Sequence, residues 1–205
     1  SDLFRLACLT WSVPVSQGFG RRTRFLVMDE QNEKLIGVFA LGDPVYNLRV
    51  RDNLVGWNVA QRNSRLYNVL DAFVLGAVPP YNRLIGGKLV AMAAVSDETL
   101  GVIERKYRGR STTIEGAVKK AKPVLVTTTS ALGRSAIYNR LKFNEELLFK
   151  SVGFTEGWGH FHFSTELFDE LREYLSNDGG VPGNSFGQGP NWRIRTLRQA
   201  LRRLD

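Results

Sequence analysis

A polar stretch over residues 127–140 holds the densest group of side chains that could do chemistry in this sequence. It follows a strand predicted over residues 123–129 and leads into a predicted helix. Open α/β sheets bind ligands beyond the carboxyl ends of their strands, so these side chains could form one wall of a pocket. Helix capping and turn formation are the alternative, because serine often caps a helix. The candidates are Thr129, Ser130, Arg134, Ser135, Tyr138, Asn139 and Arg140.

A second candidate site follows the apolar run from Ala72 to Val78, which has the length of a buried strand. Pro79 and Pro80 end that run, because proline has no N–H group for a ladder hydrogen bond. Two glycines then precede a predicted helix over residues 89–95, and the first N–H groups of such a helix could hold an anion or a phosphorylated cofactor. A plain strand–helix crossover with glycines for close packing is the alternative. The candidate cofactor-binding residues are Arg83, Gly86, Gly87 and Lys88, with Tyr81 as a pocket candidate in the same turn.

The last segment of the sequence, residues 191–205, predicts a basic amphipathic helix. Ile194, Leu197, Leu201 and Leu204 fall on one of its faces at helical spacing. Its arginines either form the solvated face of a docking helix or contact the phosphate backbone of a nucleic acid. The candidate nucleic-acid contacts are Arg193, Arg195, Arg198 and Arg202.

Three other polar residues are pocket candidates on weaker grounds. Arg51 and Asp52 are adjacent, and neighbouring residues of opposite charge most often form an ion pair. His160 shares one side of a predicted hairpin with His162. The sequence has only two histidines and one cysteine, and no His-Glu-x-x-His spacing, so we predict no metal site.

Composition narrows the classes of function. The chain carries 28 Lys and Arg against 20 Asp and Glu, and its net charge of +8 favours an anionic partner such as nucleic acid. The single cysteine, Cys8, excludes an internal disulfide and agrees with a reducing, cytoplasmic location. No apolar stretch reaches membrane-spanning length, so we expect no membrane partner. Neither a phosphate-loop motif nor a Gly-x-Ser-x-Gly elbow occurs.

The elements that must position these residues alternate between strands and helices. The predicted strands cover residues 25–28, 35–41, 72–78, 123–129, 147–152 and 159–163. The predicted helices before the basic terminal one cover residues 89–95, 97–107 and 164–175. We therefore expect an α/β (mixed α+β) core domain over residues 1–176, a glycine-rich linker over 177–190 and the basic helix over 191–205.

The predicted elements run in the order hairpin, central strand, helices, a further strand–helix unit and a last strand pair, and the segment Ser151-Val-Gly-Phe154 lies in that last pair. This order and this segment resemble the acyl-CoA N-acyltransferase superfamily, whose mixed central sheet is flanked by helices. The resemblance implies that the helix after the central strand holds the CoA pyrophosphate and that Tyr138 acts as general acid. Arg134 and Ser135 are then further catalytic candidates. Acyl-CoA becomes a candidate cofactor, while the residues alone leave the cofactor unknown.

Longer motifs run in one order over nearly the whole chain. They include Gly18-Phe-Gly-Arg-Arg22, Asp71-Ala-Phe-Val-Leu-Gly-Ala-Val-Pro-Pro-Tyr-Asn-Arg-Leu-Ile-Gly-Gly-Lys-Leu-Val-Ala91, Thr127-Thr-Thr-Ser-Ala-Leu-Gly-Arg-Ser135 and Gly157-Trp-Gly-His-Phe-His-Phe163. These motifs resemble the DruA family of the Druantia anti-phage system. The resemblance implies a bacterial cytoplasmic protein of a multi-gene defence system that includes a large helicase-like partner. Members of the family extend further, so we expect this chain, which starts abruptly at Ser1, to be a fragment.

Three functions stay open at the level of sequence. The first is a component of anti-phage defence that binds or acts on nucleic acid, whether DNA or RNA. The second is an acyl-CoA-dependent transferase. The third is a non-catalytic scaffold that docks the helicase-like partner through residues 164–204. The residues alone settle neither catalysis nor the oligomeric state.

Overall fold

A computed structural model describes most of the chain. The described residues are 2–11, 15, 20–112, 116–119, 122–130, 135–155, 165–177 and 192–204, with the backbone alone at 136, 165, 192–195 and 198. By internal packing the chain divides into a first unit, Ser1–Trp11 with Val15–Trp158, and a second unit, Ser12–Pro14 with Gly159–Asp205.

A four-stranded sheet forms the centre of the first unit. Its strands are β1 (Arg22–Asp29), β2 (Lys34–Gly42), β3 (Val69–Ala77) and β4 (Leu125–Thr127). They lie side by side in the order of the sequence, with β1, β2 and β3 antiparallel to one another and β4 parallel to β3. The predicted mixed α/β class is therefore confirmed. The likeness to the acyltransferase fold stays a proposal.

Helices pack against both faces of this sheet. The helices described in the first unit are α1 (Asp2–Cys8), α2 (Arg49–Val55), α3 (Val59–Arg65), α4 (Gly86–Ala94), α5 (Asp97–Tyr107) and α6 (Ala136–Asn139). Helix α1 lies on one face, and α4 and α5 lie on the other. Leu41 of β2 lies in a buried cluster with Val90 of α4 and Ile103 of α5. Its neighbour Ala40 lies in a second cluster with Phe4 of α1. Since side chains alternate along a strand, these two clusters cover opposite faces of the sheet.

A β-bulge changes this alternation in the central strand. Ala40 pairs with Val74 and Leu41 with Ala72, so Phe73 is an additional residue on β3. Ala72 accordingly packs with the α4 cluster, while both Phe73 and Val74 pack with the α1 cluster. The bulge thus places the Phe73 ring on the face that α1 covers.

A local signal explains where helix α5 begins. Helix α5 occupies the predicted residues 97–107 because Ser96 Oγ accepts a hydrogen bond from the N–H of Thr99 and caps its first turn. Helix α4 begins at Gly86, three residues before the predicted start. Within the described residues, no helix is both long and apolar enough to cross a membrane.

The hairpin predicted from residues 147–152 and 159–163 is wrong in its first strand. The structure has a shorter hairpin of β5 (Lys142–Phe143) and β6 (Glu146–Leu147), and residues 148–155 form no strand. Asn144 and Glu145 have φ angles of 47° and 68°, the left-handed pair that a two-residue hairpin turn requires. Val152 and Phe154 are exposed, so the apolar pattern that suggested a buried strand is not used for core packing. The second predicted strand lies outside the described residues.

In the described residues of the second unit, two helices, α7 (Thr165–Asn177) and α8 (Trp192–Leu204), pack against each other. Both predicted helices are confirmed, and two small residues lie on the buried side of α8. Thr196 and Ala200 are fully buried, whereas Leu201 and Leu204 are 51% and 58% exposed. Small side chains four residues apart allow the close approach of a neighbouring helix. Residues 178–190 of the expected linker lie outside the described residues, and the three-part domain division stays a prediction.

We expect the substitution Gly37→Ala to destabilise the sheet. A Cβ atom on Gly37 would come within 2.4 Å of the Gly76 carbonyl oxygen and 2.6 Å of Val90 Cγ2. Overpacking of this kind lowers the free energy of unfolding by about 1–3 kcal/mol, which urea unfolding would measure.

The matched control is Gly101→Ala in α5. The nearest atom to its new Cβ is the flexible end of Arg105, at 3.3 Å. Alanine favours a helix over glycine by up to about 1 kcal/mol, so this variant should be as stable as the unchanged protein or more so. Equal stabilities of the two variants would show that Gly37 is not needed for close packing.

Candidate functional site

A row of four residues crosses the sheet at one level. Arg22 of β1 pairs with Gly42 of β2, Gly42 with Asp71 of β3, and Asp71 with Thr127 of β4. The Thr127 hydroxyl lies 3.0 Å from Asp71 Oδ1. Gly42 has no side chain, and the Arg22 guanidinium lies 4.1 Å from the centre of the Phe73 ring. The register therefore brings an arginine, a carboxylate and a hydroxyl to one face of the sheet.

Burial governs the protonation of this row. It raises the pKa of Asp71, and the hydrogen bond from Thr127 and the charges of Arg51 and Arg22 oppose that rise. The pKa of Arg22 is lowered, first by burial and then by the nearby charge of Arg24, while Asp71 acts in the opposite direction. Sequence reasoning did not bring Arg22 and Asp71 together, because the row exists only through strand register.

The predicted pocket residues Arg51 and Asp52 form a buried ion pair. Arg51 is 1% exposed, and its Nε and Nη2 atoms lie 2.8 and 2.6 Å from Asp52 Oδ1. Arg51 also donates to the carbonyl oxygens of Val45 at 2.7 Å and Tyr46 at 2.9 Å. Arg62 Nη1 reaches the second oxygen of Asp52 at 3.2 Å. The polar atoms of the pair are thus committed to holding α2 and α3 against the preceding loop.

The turn before α4 places the predicted cofactor residues at the surface and in a packing contact. A Cβ atom on Gly86 would lie 2.7 Å from the Tyr81 carbonyl oxygen, and one on Gly87 would lie 3.2 Å from Ile137 Cδ1. Both glycines therefore serve close packing, while Arg83 and Lys88 are exposed. A role in anion binding stays a prediction.

Tyr81 forms a hydrogen bond between the turn before α4 and the β1–β2 hairpin. Its hydroxyl donates to Asp29 Oδ2 at 3.0 Å. This hydrogen bond raises the pKa of Tyr81, while hydrogen bonds from Asn32 and then Tyr81 lower the pKa of Asp29. The tyrosine thus ties the turn before α4 to the end of β1.

The structure describes residues 127–130 and 135–140 of the polar stretch that follows β4. Tyr138 lies in α6 with its ring 5.4 Å from that of Phe149, and burial raises its pKa while a hydrogen bond with Thr128 acts against the rise. Ser135 caps α6 by accepting a hydrogen bond from the N–H of Ile137 at 3.3 Å. The other candidates fall into three groups: exposed Thr129, Ser130 and Arg140; half-buried Asn139; and Arg134 and His160, which lie outside the described residues.

Two tyrosines at one end of the sheet are each flanked by two cations. The Tyr67 ring has Arg21 at 3.9 Å and Lys119 at 5.9 Å from its centre, and the Tyr107 ring has Lys106 at 5.3 Å and Arg110 at 5.6 Å. We call this group of six side chains the basic–aromatic surface. Distances of this order allow cation–π attraction.

Hydrogen bonds fix this surface to the start of β1. The Tyr107 hydroxyl lies 2.8 Å from the N–H of Arg22 and 3.0 Å from its carbonyl oxygen. Lys106 Nζ donates to the Arg22 carbonyl at 3.0 Å and to Thr23 Oγ1 at 3.1 Å. Arg21 Nη2 donates to the Tyr67 carbonyl at 2.6 Å, and Arg21 Nε lies 2.7 Å from Asp43 Oδ1. The end of α5 and the turn before β3 are thereby held at the same strand.

The charge of this region was visible in the sequence, but its arrangement was not. Residues 105–122 contain one acidic residue, Glu115, and seven basic residues. The basic residues are Arg105, Lys106, Arg108, Arg110, Lys119, Lys120 and Lys122. Sequence reasoning interpreted them as a basic helix end and a loop. A search for dense basic runs with nearby tyrosines could have found the surface.

The predicted nucleic-acid contacts lie on α8 in the second unit. Arg202 is exposed, and the backbone at Arg193, Arg195 and Arg198 is helical. Their contact with nucleic acid stays a prediction. Among the residues that the structure describes, no group of three or more His, Cys, Asp or Glu side chains could hold a metal ion.

The fold and these sites define a mixed α/β protein with a basic, tyrosine-containing surface. The family described as Druantia protein DruA matches residues 1–205, so this chain belongs to the DruA family, as the motifs predicted. A curated Druantia protein DruA from Escherichia coli (strain UMEA 4076-1) is 54% identical over 202 residues, which are 98% of this chain and 50% of that protein. The chain thus spans about half the length of that relative. A comparison with solved structures found no match.

We expect Asp71→Asn to change stability in a pH-dependent way. Because the pKa of Asp71 is raised in the folded state, the folded protein binds its proton more readily than the unfolded chain does. The contribution of Asp71 to stability is therefore full at low pH and is lost as pH rises above the ordinary pKa of 3.8. Urea unfolding of both proteins between about pH 4 and pH 8 would measure this loss.

The variant cannot ionise at residue 71, so its stability relative to the unchanged protein should improve as pH rises. A stability difference that is constant or moves the other way would contradict the raised pKa. Thr112→Val, far from the row in sequence and half-buried, provides a control that should show no such pH dependence.

Proposed function

We propose that this chain is a nucleic-acid-binding component of the Druantia anti-phage defence system. Membership of the DruA family supports the place in that system. The basic–aromatic surface is the observation that supports nucleic-acid binding. Other proteins of the system, including a helicase-like one, are the proposed protein partners.

The chemistry of the surface suits a phosphate backbone. Lysine and arginine neutralise phosphates and release condensed counterions, which supplies most of the affinity for nucleic acid. Arg105, Arg108 and Arg110 are exposed at the end of α5. Arg108 lies 3.3 Å from Glu104, an exposed pair that water screens and that a phosphate could replace. The anchored backbone of the α5 end means that little ordering is needed on binding.

Helix α8 is the second surface that we propose to contact nucleic acid. Arg193, Arg195, Arg198 and Arg202 lie on a helix whose buried side is marked by Thr196 and Ala200. By helix geometry, positions 195, 198 and 202 fall on the side away from those two residues, and position 193 does not. We therefore propose Arg195, Arg198 and Arg202 as the contacts and give Arg193 a lesser part.

The test is a charge reversal at the end of α5. Arg108→Glu with Arg110→Glu should weaken binding to a labelled oligonucleotide by about tenfold or more, because two phosphate contacts are lost. The slope of log affinity against log salt should become shallower by about 0.7–0.9 for each contact. Fluorescence anisotropy between about 50 and 200 mM salt measures both quantities.

The matched control reverses two exposed charges elsewhere in the first unit. Arg5 lies on α1, and Lys34 lies at the far end of the β1–β2 hairpin from Arg22. Arg5→Glu with Lys34→Glu changes the net charge equally and should alter binding much less. Arg198→Glu with Arg202→Glu tests α8 in the same assay. Unchanged protein that shows no salt-sensitive binding to single- or double-stranded DNA or RNA would remove the proposal.

An acyl-CoA-dependent transferase is a second candidate function, favoured by the position of Tyr138. Burial raises the pKa of Tyr138 above its ordinary value of 10, so the phenol carries its proton at neutral pH. It lies on α6, directly after the short parallel strand β4, and α6 contacts α4. This is the strand–helix unit in which the acyltransferase resemblance expects the catalytic tyrosine.

Acetyl-CoA should then raise the melting temperature of the protein, because a ligand that binds only the folded state stabilises it. At about 100 times the dissociation constant the gain is about 2.7 kcal/mol. Arg83→Glu with Lys88→Glu should abolish the shift if the turn before α4 holds the pyrophosphate, and Arg5→Glu with Lys34→Glu should retain it. No shift at millimolar acetyl-CoA would count against this candidate.

A further inference from the structure

A pocket of about 370 Å³ opens beside the basic–aromatic surface. Its lining residues come from the end of α3, from the turn before β3 and from the loop after α5. They are Ser64, Tyr67, Asn68 and Lys119. The pocket therefore combines a hydroxyl, an aromatic ring, a carboxamide and an ammonium group within one concavity.

The wall of the pocket is held rigidly from behind. Arg21 is 5% exposed, and its guanidinium packs on the Tyr67 ring while donating to the Tyr67 carbonyl oxygen. The Asn68 carbonyl accepts a hydrogen bond from the N–H of Val124 at 2.9 Å. The backbone at both residues is thus fixed by contacts that do not use the Asn68 carboxamide or the Tyr67 hydroxyl.

These two polar groups are available to a ligand. Within the part of the chain that the structure describes, neither the Asn68 carboxamide nor the Tyr67 hydroxyl has a hydrogen-bond partner. A carboxamide offers donors and an acceptor side by side, and it can match the edge of a nucleobase. An aromatic ring offers a surface that any base can contact. Lys119 adds a cation next to both groups, suited to the phosphate attached to that base.

We propose that this pocket receives one unstacked base of a single-stranded nucleic acid. Tyr67 contacts the base, Asn68 hydrogen-bonds its edge and Lys119 pairs with the adjoining phosphate. A duplex keeps its bases stacked and paired, so it can reach the neighbouring cations but cannot place a base in the pocket without paying for base flipping. The inference rests on the proposed function, and it assigns a preference for single strands to this part of the surface.

The test is Asn68→Ala, which removes no charge. Binding of a labelled single-stranded oligonucleotide should weaken roughly fivefold to tenfold, the effect of losing one or two hydrogen bonds. Binding of a duplex of the same length, and the salt slope, should not change. Asn53→Ala, an exposed asparagine on α2, is the matched control and should leave both affinities unchanged. DNA and RNA strands are measured in parallel, because either can supply the base.

A measurement on the unchanged protein avoids dependence on the folding of a variant. An oligonucleotide that carries 2-aminopurine at one position reports unstacking by its fluorescence, and a base in the pocket should differ from stacked bases at saturation. Equal effects of Asn68→Ala on single strands and duplexes, or no unstacking at any position, would overturn the base pocket while leaving general nucleic-acid binding intact. If the unchanged protein bound neither single strands nor duplexes, the proposed function would be overturned as well.

Discussion

The buried guanidinium of Arg21 is the interaction on which the basic end of the first unit depends. It joins Asp43 after β2, the Tyr67 carbonyl before β3 and the Tyr67 ring, across 22 and 46 residues of sequence. A buried charge is costly unless it is paired and hydrogen-bonded, and the buried Arg21 side chain pairs with Asp43, which is 34% exposed. The pairing therefore fixes where Tyr67 stands, and with it the pocket and half of the basic–aromatic surface.

Buried polar groups need hydrogen-bond partners, and this explains why several candidate site residues stabilise the fold. Arg51 is buried and must satisfy its donors, which it does with Asp52 and two carbonyl oxygens. The Tyr81 hydroxyl donates a hydrogen bond to Asp29. Gly86 has no Cβ atom, and this lets the backbone of the preceding turn pack closely against it. Among the described residues of the first unit, the Asn68 carboxamide and the Tyr67 hydroxyl have no such internal hydrogen-bond partner, and Arg105 and Arg110 are exposed.

In the proposed mode of binding, the groups that attract phosphates are separate from the groups that recognise a base. The cations at the end of α5 can attract any phosphate backbone, since such contacts carry no sequence information. The pocket differs because it offers a ring and a carboxamide, and these contact bases rather than phosphates. A component of a defence system that distinguishes single strands from duplexes would need both. The family relative is about twice as long, so the remaining length of a DruA protein adds surfaces beyond these.

The sequence by itself determined the family, the mixed α/β class and the elements with local signals. Helix α5 is the clearest case, because its N-cap at Ser96 and its apolar spacing act within a few residues. Only the tertiary structure decided that Arg21, Tyr67 and Lys119 meet, that Asp71 shares a row with Arg22 and Thr127, and that α8 buries Thr196 while Leu201 and Leu204 stay exposed. These outcomes depend on strand register and on packing between distant segments. Neither of them produces a periodic residue pattern that can be recognised in the sequence.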